Sequence, residues 1–73
     1  MNILHLEVNR AGWWRRVMSF ANDATTLDNV QLRAAYLLME SDSQRIRARI
    51  IAPGDTAPVM TWTAADGWKE WRV

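Results

Sequence analysis

The chain has 73 residues, nine basic against eight acidic side chains for a formal net charge of +1, and no cysteine. That excludes a disulfide scaffold or a Cys-ligated zinc fold, and it leaves no bulk charge to attract a polyanion. What remains is one domain held by packing, in which five tryptophans, each burying ~150–250 Å² when fully covered, supply much of the core; otherwise a partner or a second copy completes it.

Ile3–Val8 alternates, with Leu4, Leu6 and Val8 on one face and His5 and Glu7 on the other, which predicts a first strand. The stretch MNILHLEVNR has neither a basic n-region nor a long apolar run, so no signal peptide or membrane span is expected. With the lack of cysteine this points to a cytoplasmic protein. Asn9-Arg10-Ala11-Gly12 suits a hairpin loop of three or four residues, with Gly12 at a positive-φ position. Trp13–Ala21 fits two patterns. As a helix, its apolar residues fall on one arc. As a strand, Trp14, Met18 and Phe20 share a face on which Arg16 intrudes. Trp, Val and Phe favour strands and no N-cap precedes the stretch, so a strand whose parity slips at a bulge is the reading adopted.

Asn22–Leu27 reads as loop and Asp28 as an N-cap, with Gln31 as its capping-box partner and Leu27 and Leu32 placed as a hydrophobic staple. A helix from Asn29 to about Glu40 would set Val30, Ala34, Leu37 and Leu38 against a sheet and Asn29, Arg33 and Glu40 in water. Leu32, Tyr36 and Met39 lie on a flank. They either wrap onto the sheet edge, the favoured reading, or face a partner. Ser41-Asp42-Ser43 would end the helix.

Gln44–Ile51 alternates strictly, with Ile46, Ala48 and Ile50 on one side and Arg45, Arg47 and Arg49 on the other, and predicts a central strand carrying an arginine ladder. Ala52–Pro58, with two prolines and a glycine, is loop. Val59–Ala64 is a further strand, and Asp66-Gly67 signals a two-residue hairpin turn. Counting outward pairs Ala65 with Trp68 and Trp62 with Trp71, so that Trp68 shares a face with Thr61, Thr63, Glu70 and Arg72. The resulting fold class is α+β, β-β-α-β-β-β: an antiparallel sheet of four to five strands with one helix packed on one face, in a single domain spanning residues 1–73.

No catalytic constellation is expected. His5 stands alone on a polar strand face, the carboxylates are scattered, and no Ser/His/Asp set, metal-ligand spacing or glycine-rich phosphate loop occurs. The reading is therefore not an enzyme and calls for no cofactor or metal. The open sheet face is the candidate site. It is either a solvated face of cross-strand Arg/Glu pairs or a contact surface. Eight of the nine cations are arginines, interleaved with tryptophan in Trp13-Trp14-Arg15-Arg16 and Trp68-Lys69-Glu70-Trp71-Arg72. Trp and Arg dominate interface hot spots, and the same pair also stacks single-stranded bases. The candidate partner-binding residues are Arg45, Arg47, Arg49, Arg15, Arg16, Trp13 and Trp68. One or two of Trp13, Trp14 and Trp68 should be partly exposed, because one helix stripe and one sheet face cannot hide seven aromatic side chains.

The layout of a hairpin, one helix and a closing hairpin that ends in Gly-Trp-x-x-Trp resembles small phage and prophage proteins, several anti-CRISPR proteins among them. The resemblance spans the whole chain and rests on size and element order, so no functional residue carries over. It implies a non-enzymatic, stoichiometric inhibitor of a bacterial defence complex, which matches a small protein-binding module. Single-stranded nucleic-acid binding through the Arg/Trp face and a structural homodimer are the alternatives.

Overall fold

The computed structural model describes residues 2–10, 12–39 and 45–70. Its elements are β1 (Ile3–Asn9), β2 (Trp14–Ala21), α1 (Ala24–Met39), β3 (Arg47–Ile51), β4 (Met60–Thr63) and β5 (Gly67–Glu70). The strands form one antiparallel sheet in the spatial order β2-β1-β3-β4-β5, and α1 crosses one face of it. This is the α+β order that the alternation patterns predict. No helix among the described residues is long and apolar enough to cross a membrane.

The core lies between helix and sheet. Leu4 and Leu6 of β1, Phe20 of β2, Ala48 and Ile50 of β3 and Trp62 of β4 meet Val30 and Ala34 of α1. Period-two alternation puts them there: Leu4, Leu6, Ala48 and Ile50 are buried, while Glu7, Arg47 and Arg49 turn the other way. Of Trp13–Ala21, the part from Trp14 on is a strand with a bulge. Leu6 pairs with Met18 but Glu7 pairs with Arg16, so Val17 is the extra residue. The bulge reverses the parity of β2, leaving Met18 and Phe20 on the helix face and Trp14 and Arg16 on the open face.

Three expectations need correction. The helix begins at Ala24, not Asn29. Its cap is Asp23, whose carboxylate accepts from the backbone N–H (2.9 Å) and the hydroxyl (2.9 Å) of Thr26. Those bonds, the backbone one foremost, hold the Asp23 carboxyl below its usual range. Of two aspartates with capping chemistry, the earlier one wins because it adds more than a turn of helix and brings Leu27 against the core. Leu37 was expected in the sheet-facing stripe but is 72% exposed, and Leu32, Tyr36 and Met39 do not wrap onto the sheet edge: all are exposed. On one flank the helix is tied to the last hairpin: Trp68 Nε1–H of β5 donates to the Gln31 carbonyl (2.8 Å), and the Gln31 side chain contacts the sulfur of Met60 in β4.

The third correction is the register of the last hairpin. Thr63 pairs with Gly67 and Trp62 with Trp68, leaving Ala64–Asp66 as a three-residue loop. A two-residue type I′ turn would need positive φ at both Asp66 and Gly67. Here Gly67 alone takes it (φ 72), and Asp66 keeps an ordinary backbone while its N–H donates to Thr63 Oγ1 (3.2 Å). Trp68 therefore shares the helix face with Trp62. The expected helix end at residues 40–43, the start of the arginine strand at Gln44, and Trp71 and Arg72 lie outside the described residues.

Candidate functional site

The sheet face away from the helix is ordered in rows across the strands. One row runs Trp14, Asn9, Arg47, Thr63, Gly67, and the next runs Arg16, Glu7, Arg49, Thr61, Lys69. Glu7 thus stands between two arginines on neighbouring strands. It binds Arg49 through both guanidinium nitrogens that reach it, with Nε at 2.8 Å and Nη2 at 2.7 Å from Oε1. The Arg49 guanidinium also lies over the Trp14 ring, 4.1 Å from its centroid, with Arg47 at 6.0 Å. A cation over an indole face is held by the ring quadrupole. Arg49 is therefore fixed from two sides and half-buried, while Arg47 and Arg16 stand exposed beside it.

Charge is segregated. Among the described strand residues, Arg16, Arg47, Arg49 and Lys69 face this side against the single carboxylate of Glu7, and Glu70 falls on the helix side. Asp23, Asp28, Asp55 and Asp66 belong to loops and the helix; of these Asp66 reaches Lys69 at 3.5 Å. A chain that is almost neutral overall presents one basic face, a feature that a summed charge conceals.

The site residues read from the sequence divide as follows. Arg47, Arg49 and Arg16 are brought together on the open face. Arg45 precedes β3 in a turn and is exposed, so it stands outside the strand that carries Arg47 and Arg49. Arg15 pairs with Val8 and sits on the helix side of the bulge. Trp13 lies in the β1–β2 loop and is 65% exposed. Trp68 leaves the site altogether, being partly buried against the core and bonded to α1. Trp14 and Trp68 are each half-buried, so Trp13 supplies the largest exposed aromatic surface in the group.

Two features escaped the sequence reading. His5 and Ser19 are cross-strand partners and hydrogen-bond through Nδ1 and Oγ (2.7 Å), a pairing visible only once the β1–β2 register is known. A groove of about 370 Å³ opens between the bulge and the C-terminal half of α1. It is lined by the apolar side chains of Val8, Ile46, Leu37 and Leu38 and by Arg10, Arg15 and Arg16. The bulge is what brings Arg15 to the groove while Arg16 stays in line with Glu7 and Arg49.

No protein-family model, no curated protein and no solved structure matches the chain.

Proposed function

We propose that the protein is a non-enzymatic binding module whose basic sheet face takes an acidic surface of a protein partner. The observation that carries this reading is the segregation of Arg16, Arg47, Arg49 and Lys69 onto one face of a nearly neutral chain. Arg forks recognise carboxylates in fixed geometry, and Arg49 is already oriented by Glu7 and Trp14, which lowers the ordering cost of contact. Thr61 and Thr63 place short polar side chains between the cations, and the groove that Arg15 and Arg16 help line offers apolar side chains at one end. Such a module acts stoichiometrically, by covering a surface. Inhibition of a bacterial defence complex, implied by the likeness to small phage proteins, is one form of that action.

Base stacking is the less favoured use of the face. A stacking platform offers bare aromatic rings on its central strands, whereas the central strands here carry His5, Glu7, Arg47 and Arg49, and Arg49 already covers Trp14. The test is a titration of tryptophan emission with a single-stranded oligothymidylate and with a Glu/Asp-rich peptide at ~150 mM salt. The peptide is expected to bind the native chain, and an Arg16→Glu, Arg47→Glu variant is expected to lose it while keeping its far-UV circular dichroism. Strong quenching by the oligonucleotide at that salt, with no response to the peptide, would overturn the protein-surface reading in favour of single-strand binding.

A further inference from the structure

The outer surface of α1 carries an apolar stripe that the fold does not use. Leu32, Tyr36 and Met39 are 60%, 66% and 74% exposed, on the side opposite Val30 and Ala34. Their spacing of four and then three residues is a heptad seam, continued toward the N-terminus by Asn29 and Thr25, both exposed. In heptad letters, Thr25, Leu32 and Met39 are d positions and Asn29 and Tyr36 are a positions. Of the positions that face outward in a coiled coil, Leu27, Val30 and Ala34 face the sheet, while Leu37, beyond them toward the C-terminal end, is exposed outside the seam.

We infer that α1 packs against α1 of a second copy of the chain as a short parallel two-helix seam. Two features select the occupant and its direction. Asn29 falls at an a position, where in a parallel pair it meets its own symmetry mate and the two amides hydrogen-bond; in an antiparallel pair it would face an apolar residue unpartnered. Asp28 falls at g and Arg33 at the e position five residues on, both exposed. That is the spacing at which g and e′ side chains of opposite charge meet across a parallel dimer, twice by symmetry. The stripe is thus complementary to itself in one register.

The area sets the strength. Leu32, Tyr36 and Met39 each contribute roughly 60–120 Å² of apolar surface, the area that matches the usual energy of burying such a side chain. With flanking residues along a helix of 16 residues, the interface comes to about 400–600 Å² per copy, below the ~800 Å² of a standard complex. The dimer is accordingly a weak one, sought at high chain concentration. Because the seam lies across the helix layer from the sheet, each dimer would carry two basic sheet faces pointing outward, so a partner with two acidic sites would gain avidity from dimerisation.

The test is sedimentation equilibrium from about 10 μM to 1 mM. The native chain is expected to pass from monomer to dimer mass across that range. Tyr36→Glu should weaken association at least 100-fold; Asp28→Arg or Arg33→Asp alone should weaken it about tenfold, and the two together should restore it. The native chain has no cysteine, so Thr25→Cys, which leaves Asn29 in place, gives a clean second readout: mild oxidation should link it to its mate far faster than Asp55→Cys, on a distant loop. Monomer mass at 1 mM overturns the proposal and leaves the stripe to another partner. A dimer indifferent to Tyr36→Glu overturns the assignment to this helix. A dimer lost on Tyr36→Glu in which Thr25→Cys links no faster than Asp55→Cys overturns the parallel register.

Discussion

Replacing Glu7 by glutamine probes the centre of the basic face. Glu7 Oε1 accepts from Arg49 Nε and Nη2, and the two side chains are 15% and 23% exposed. The pair lies between two regimes. Exposed ion pairs contribute ~0.2–1 kcal/mol, and breaking a fully buried pair costs ~3–5 kcal/mol. With Arg49 still held over Trp14, a contact worth ~0.5–1 kcal/mol in such settings, the cost of Glu7→Gln should be about 1–2 kcal/mol. Urea unfolding followed by far-UV circular dichroism reads this as a midpoint lowered by about 1 M, given a slope of ~1–2 kcal/mol per molar for a small domain. An Arg49→Ala background supplies the control, since coupled residues lose much of their separate effects when both are changed. An unchanged midpoint, or full additivity of the two substitutions, would refute the ion pair as a structural element. The same variant adds one unit of positive charge to the face, so affinity for an acidic peptide should rise even as stability falls. A purely structural role for the face does not give those opposite signs.

Trp68→Phe keeps a ring on the helix face but removes the bond to the Gln31 carbonyl. That oxygen retains its helical N–H donor, so no buried group is orphaned, and the loss should be about 1–2 kcal/mol in urea unfolding; a cost above ~4 kcal/mol would mean that the residue does more than pack and bond. Gly67→Ala should cost about 1–2 kcal/mol from its positive φ alone, because nothing lies within 4 Å of the added methyl. Gly67→Asn should cost less, and equal losses would contradict a purely backbone origin. The depressed pKa of Asp23 makes its cap a stabilising contribution that is complete above the unfolded carboxylate value and fades as pH falls through the lower folded value. The melting temperature of Asp23→Asn should therefore sit furthest below that of the native chain near neutrality and approach it below about pH 4; a gap independent of pH would contradict the charge-assisted cap.

Legibility in the sequence followed the strength of the local signal. β1 and β3 were plain because strict alternation has one structural meaning when one face is buried. The bulge in β2 was recoverable from the Arg16 intrusion, which a parity slip explains once the stretch is read as a strand. The helix start was misplaced because Asp23 and Asp28 both carry capping chemistry, and the choice depends on what Leu27 packs against, which is tertiary. The last hairpin slipped because Asp66-Gly67 fits either a two-residue or a three-residue loop, and the change of register carried Trp68 from the open face to the core. Of the candidate site, Arg47 and Arg49 could be found from alternation alone, whereas the choice of Arg16 over Arg15 depended on where the bulge falls. The stacking of Arg49 on Trp14 and its pairing with Glu7 needed the cross-strand register, and the groove beside the bulge needed the helix in place.

The central claim is that the face built on Arg16, Arg47 and Arg49 binds an acidic protein surface. The most direct measurement is affinity capture with the tagged chain from nuclease-treated bacterial lysate, run beside the Arg16→Glu, Arg47→Glu variant and read by mass spectrometry. Binding through this face predicts a discrete acidic protein that the native chain retains without nucleic acid and the variant does not. The same protein recovered equally by both chains, or retention that disappears with nuclease, would contradict it.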